Sequence, residues 1–221
     1  MTRVLMLLML SQAEDMSVDG PVFSNSTRQG ICFNCTCANA TNYVLRSQDF
    51  SNVIWGTVAG GTASVPVATA SDGSAQFLAP DGTFTATKIV STGCVSGGAS
   101  FFFQAMALGM GSLTATSSAW VRGTGTIGIW TYGDVPAAAG GSSMVLTNTW
   151  TQLSGSYTST TNQFQFVVGC SDRANYTPRT TAAFTAYIWQ GQLENGPTAT
   201  CPIKTVASVV TRTGTCAAVC Q

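Results

Sequence analysis

The run Phe184-Thr185-Ala186-Tyr187-Ile188-Trp189 alternates without a break: Phe184, Ala186 and Ile188 fall on one side of an extended chain, and Thr185, Tyr187 and Trp189 on the other. Side chains alternate across a β-strand with a period of two, so this run predicts a strand with two distinct faces. Upstream, Phe164, Phe166 and Val168 share one face of a second such strand, and the stretch around Ile127 to Trp130 behaves in the same way. Asp72-Gly73, Asp81-Gly82, Gly123 to Gly125 and Gly140-Gly141 carry turn chemistry and are expected to separate the strands. No helical period emerges, apart from a short piece in the apolar amino-terminal segment. Short strands punctuated at roughly 8 to 12 residues predict an all-β fold, a single jelly-roll β-sandwich.

The composition shapes the surface of that sandwich. Of 221 residues, 45% are hydrophobic and only 8% charged, so Thr, Ser, Gly and Ala must fill the solvent-facing positions. Such a surface is neutral and easily desolvated, which suits repeated protein contacts. Nine basic and nine acidic residues are scattered singly, without the basic patch that nucleic acid demands. The longest apolar run, Val4 to Leu10, is far short of the ~20 residues that cross a bilayer as a helix. Arg3, that run and Ser11-Gln12-Ala13 also resemble a short secretory signal, but the preferred expectation is an assembly arm whose Leu5, Met6, Leu7 and Leu8 are buried against a neighbour. The expected organisation is an amino-terminal arm over residues 1–42, a jelly-roll body over 43–205 and a cysteine-containing carboxy-terminal arm over 206–221.

Several segments, taken in order, resemble one family. These are NYVLRSQDFSNVIW (residues 42–55), APDGTFTATKIV (79–90), NTWTQLSGSYTST (148–160) and YIWQGQLENGPTATCPIKT (187–205). Together they are similar to jelly-roll modules, related to carbohydrate-binding modules, that recur in bacteriophage head and tail proteins. The resemblance covers nearly all of residues 42–205. It implies a β-sandwich carried on a virion, but no particular ligand, because such modules serve attachment, decoration and glycan recognition alike. Cys201, in a loop that is usually cysteine-free, and the cysteine-rich arms depart from the pattern.

The residues that carry chemistry are few. There is no histidine, which removes Ser-His-Asp and Cys-His arrangements and the usual proton shuttle near neutral pH. Glycoside hydrolysis needs two carboxyl groups about 5 to 9.5 Å apart, and Glu194 is expected to cap its loop rather than serve as one of them. No enzymatic activity is expected. Eight cysteines, Cys32, Cys35, Cys37, Cys94, Cys170, Cys201, Cys216 and Cys220, are candidates for disulfides that staple the arms. Each correct bridge would stabilise by about 2 to 4 kcal/mol. An all-thiolate zinc site on Cys32-x-x-Cys35 and Cys216-x-x-x-Cys220 stays open, as do free buried thiols for Cys94 and Cys170. Calcium at Asp72, Asp81 and Asp134 competes with plain turn capping. Otherwise no cofactor is expected.

Trp55, Trp150 and Trp189 fall in strand-like motifs and are expected in the core, whereas Trp130 with Tyr132, beside a loop beginning at Gly133, is the candidate exposed platform for a glycan. The resulting expectation is a non-enzymatic virion structural protein, assembled in the bacterial cytoplasm. It would be a capsid decoration, cement or head-fibre subunit, present as a homo-oligomer or in many copies, with the major capsid protein or other virion proteins as partners. The alternative is a tail-associated receptor-binding module that recognises host surface glycans.

Overall fold

Twelve strands and one turn of 3-10 helix (Ala75–Phe77) make up the regular structure in a computed structural model that describes residues 38–60, 63–95, 97–107, 113–133, 138–161 and 163–213. In chain order the strands are β1 (Ala40–Asn42), β2 (Gly56–Gly60), β3 (Val67–Thr69), β4 (Thr87–Ser91), β5 (Ala99–Ala107), β6 (Leu113–Gly133), β7 (Ala138–Val145), β8 (Thr151–Ser159), β9 (Gln163–Ser171), β10 (Tyr176–Thr177), β11 (Phe184–Asn195) and β12 (Val210–Arg212).

The 21-residue β6 organises the sandwich. Its first half pairs with β8 and β11, and β11 continues through β4 to β3. Its second half pairs with β7 and β9, and β9 continues through β5 to β2. The result is a ten-stranded sheet curled about β6 into two packed layers, antiparallel except where β10 joins β7. The fold is all-β, a sandwich of the jelly-roll kind.

Two sequence expectations change here. Gly123 to Gly125 is not a turn but the point inside β6 where the strand passes from one layer to the other. Gly123 (φ 142°) and Gly125 (φ 90°) adopt backbone conformations that disfavour side chains, and a Cβ on Gly123 would lie 2.0 Å from the Thr185 carbonyl oxygen. Gly140-Gly141 likewise lies within β7, where a Cβ on Gly140 would meet the Ser156 carbonyl oxygen at 2.2 Å. Asp72-Gly73 and Asp81-Gly82 do form turns: the Asp72 carboxylate accepts from Ser74 N at 2.8 Å and the Asp81 carboxylate from Thr83 N at 3.0 Å.

The period-two pattern is realised in the core. Phe164, Phe166 and Val168 of β9 and Phe184, Ala186 and Ile188 of β11 all join one buried cluster with Phe50, Trp55, Ile127 and Ile129. Phe50 stacks on Trp55 at 4.3 Å between ring centroids, and Trp55 meets Phe166 edge-on at 5.5 Å.

Polar side chains secure the ends. Asn42, fully buried, donates to Gly191 O and Ile203 O and accepts from Val44 N and Leu193 N. Gln104 closes a pair of hydrogen bonds with the backbone of Leu45. Beyond them β1 and β12 pair antiparallel, Ala40 opposite Arg212, so the segments that lead to both termini leave the body at one place.

Candidate functional site

The outer face of the β4–β11–β6–β8 layer carries a smaller aromatic cluster of its own: Trp120 and Trp189 are buried there with Ala79 and Ala86, and Trp150 and Tyr187 pack against them half-buried. In register, Tyr187 of β11 lies opposite Arg122 of β6 on one side and Lys88 of β4 on the other, while Trp189 lies opposite Trp120, which lies opposite Gln152 of β8. Trp150 immediately precedes β8. The Arg122 guanidinium carbon lies 5.1 Å from the ring centroid of Trp150 and 5.1 Å from that of Tyr187, so two rings bracket one permanent cation. All three residues are half-buried.

The β3–β4 connection forms the rim of this face. Arg122 Nη2 donates to Gln76 O at 2.6 Å, Tyr187 Oη donates to Gln76 Oε1 at 2.7 Å, and Trp150 Nε1 donates to Leu78 O at 3.2 Å. Trp189 Nε1 donates to Thr85 Oγ1 at 3.1 Å, and Phe77 packs edge-on against Tyr187 at 5.6 Å. Leu78 and Phe84 of the same connection are 40% and 48% exposed. Half-buried rings, a fixed cation and hydrogen-bonding groups around them are the components a saccharide site uses: C–H faces stack on rings and hydroxyls take hydrogen bonds.

The residues singled out from the sequence are placed differently. Trp130 is fully buried, a correction to its expected exposure: the segment that follows β9 folds over it, Tyr176 meets it edge-on at 5.3 Å, and its Nε1 donates to Pro178 O at 2.9 Å. Tyr132 is half-buried and stacks on Tyr176 at 5.8 Å. Burial, and then the neighbouring Tyr132, push the Tyr176 hydroxyl well above its ordinary pKa of 10.0. Trp55 and Trp189 are buried as expected, whereas Trp150 belongs to the half-exposed outer face rather than to the core.

Cys94 and Cys170 are free thiols, a correction to their place among the candidate disulfides. Each is buried with a polar neighbour: Cys94 Sγ donates to Thr180 O at 3.1 Å, and Cys170 Sγ lies 3.8 Å from Ser91 Oγ. The proximity of the two thiols, more than burial, raises the pKa of Cys94, and the same proximity lowers that of Cys170. Cys201 is buried and is not among the free thiols. Cys32, Cys35, Cys37, Cys216 and Cys220 lie outside the described residues, as do Leu5, Met6, Leu7, Leu8 and Asp134.

Glu194 is fully buried, and its carboxylate accepts from Thr200 N at 2.9 Å and from the Thr200 hydroxyl. Hydrogen bonds to Ser74 hold the Asp72 carboxyl below its ordinary value of 3.8. Among the described residues no group of three or more Cys, Asp or Glu is placed to hold a metal. A cavity of about 260 Å³ lies between Tyr43, Leu45, Gln104, Met106 and Val209. The Gln104 amide there is already committed to Leu45, which leaves it poorly equipped to orient a polar ligand.

No protein-family model and no curated protein matches the sequence. Solved structures that match the chain include the enzymatically active domain of tailspike protein 4 of bacteriophage CBA120, at 14% identity over 70% of this chain and 21% of that one, with a TM-score of 0.43. The CBM22-1 xylan-binding domain of Xyn10C from Paenibacillus barcinonensis matches at 12% identity over 75% and 99%, TM-score 0.41. TmCBM61, solved with β-1,4-galactotriose, matches at 14% over 70% and 99%, TM-score 0.40. The chain thus spans about a fifth of the tailspike domain. Likeness at this level brings neither ligand nor activity to the protein, whose fold rests on its own strand pairing.

Proposed function

We propose that this protein is a non-enzymatic carbohydrate-binding module carried on a bacteriophage particle, and that it recognises saccharide through the outer face of the β4–β11–β6–β8 layer. The observation that carries the reading is Arg122 held between the half-exposed rings of Trp150 and Tyr187. Both rings lie outside the central core, which is built on the opposite face of the same strands, and pack against the small buried cluster of Ala79, Ala86, Trp120 and Trp189. The virion setting comes from the family resemblance of residues 42–205. The test is a glycan array probed with the folded chain, followed by calorimetry on any saccharide retained. Trp150→Ala and Tyr187→Ala should each weaken binding at least about fivefold, since a stacking ring contributes about 1 to 3 kcal/mol. An unchanged affinity in both variants, or an array with no retained saccharide, would sink the reading.

A second reading, a capsid decoration or cement subunit, is favoured by one observation: the pairing of Ala40 with Arg212 brings both arms out at one point, as a single anchorage would require. Electron cryo-microscopy of intact particles separates the two. Density spread over the icosahedral shell supports decoration, and density confined to the tail supports receptor binding.

A further inference from the structure

We infer that the saccharide taken by this face is an acidic one, with a carboxylate that meets Arg122 while its apolar ring face rests on Tyr187 or Trp150. This deepens the carbohydrate-binding reading and rests on it. The chain has only nine basic residues, yet two of them, Arg122 and Lys88, flank Tyr187 on one face of one layer. Two strand spacings separate their backbones, about 10 Å, which is comparable to the length of a disaccharide.

Neither cation is neutralised. The ion pair found among the described residues is Arg179 with Asp172, at 3.9 Å, and it involves neither. Arg122 spends Nη2 on Gln76 O, its Nε is buried without a hydrogen-bond partner, and Nη1 makes no hydrogen bond. Nε is out of a ligand's reach, but the Nη hydrogens not used by Gln76 keep donor capacity in reserve, and a carboxylate uses it better than a neutral hydroxyl because both partners are then charged. The carboxylates of the surrounding elements are engaged elsewhere: Asp72 and Asp81 with Ser74 and Thr83 of their own connection, and Glu194 of β11 with Thr200. The rings that bracket the guanidinium hold it in place, so little side-chain freedom is lost when an anion arrives.

The experiment compares one oligosaccharide in two charge states by isothermal titration calorimetry: a hexamer of galacturonic acid and its fully methyl-esterified form, with a thymidine oligonucleotide as a polyanion control. The acid form should bind at least tenfold tighter than the ester, and raising the salt from 50 to 500 mM should narrow the gap. Lys88→Gln, at a half-buried position whose side chain makes no hydrogen bond or ion pair, should weaken the acid form at least threefold with the thermal midpoint unchanged. Arg122→Gln should remove the preference for acid altogether. Equal affinity for acid and ester would overturn the acidic assignment while leaving carbohydrate binding intact. Equal affinity for the oligonucleotide would overturn it in favour of unspecific polyanion binding, and absence of binding to either sugar together with an empty glycan array would overturn both readings.

Discussion

At the scale of single residues, Tyr176 links packing to pH. It is buried against Phe101, Trp130 and Tyr132, and burial raises its pKa above 10.0. The native state therefore keeps its proton at pH values where the unfolded chain has lost it. With more protons bound when folded than when unfolded, stability is full below pH 10 and declines as pH rises above it. Tyr176→Phe, which keeps the ring contacts, should flatten that decline, as urea unfolding followed from pH 8 to 11 would reveal; a decline of the same slope would assign the alkaline sensitivity to another group. Arg122 obeys a different rule, because a guanidinium stays charged throughout this range. Acidic saccharide should therefore bind equally well from pH 6 to pH 9, with losses only as the sugar carboxylate itself takes up protons.

At the scale of elements, the strands that were legible in the sequence are those with two unlike faces. β9 and β11 announce themselves because Phe164, Phe166, Phe184 and Ile188 recur at every second position, and the same residues form the core. Gly123 to Gly125 and Gly140-Gly141 were illegible as strand residues. Glycine there answers the close approach of a neighbouring strand, and no local rule distinguishes that need from a turn. Trp130 is expected to be exposed because it stands near the loop at Gly133, yet it is buried, since the segment after β9 that covers it is invisible to periodicity. The Arg122, Trp150 and Tyr187 site was missed for a related reason: its members come from β6, β11 and the residue just before β8, and cross-strand register is a property of the folded sheet. The signal present was the second face of the Phe184 to Trp189 run, where Tyr187 and Trp189 point away from the core.

Asn42 shows what an element junction costs to break. Its amide holds β11 and the segment at Ile203 to the chain entering the body, through four hydrogen bonds to backbone groups. Asn42→Ala would leave several of those groups buried and unpaired, and a loss of about 3 kcal/mol is expected from such orphaned partners. The urea midpoint should fall by about 1 to 2 M. A midpoint within experimental error of the parent would show that other groups or water replace the amide.

At the scale of the whole molecule, the described body closes on itself without residues 1–20. β1 begins at Ala40, and its partner β12 ends at Arg212, which donates to Ala38 O and to Cys201 O. A chain lacking residues 1–20 should therefore unfold at the same urea concentration as the full chain. If the arm seats the protein on its particle, that truncation should also fail to incorporate into virions, and normal incorporation would discard the arm as the anchor. The saccharide face lies further along β11, Tyr187 being six residues from Leu193, where Tyr43 joins the strand, or about 20 Å of extended chain.

The Ala40–Arg212 pairing has one more consequence. Paired backbones in an antiparallel ladder lie about 5 Å apart, so entry and exit of the body are almost one point. A segment with that property can be spliced into a surface turn of an unrelated host protein without stretching it, so residues 38–213 constitute a portable cassette that a larger chain can carry on a single loop.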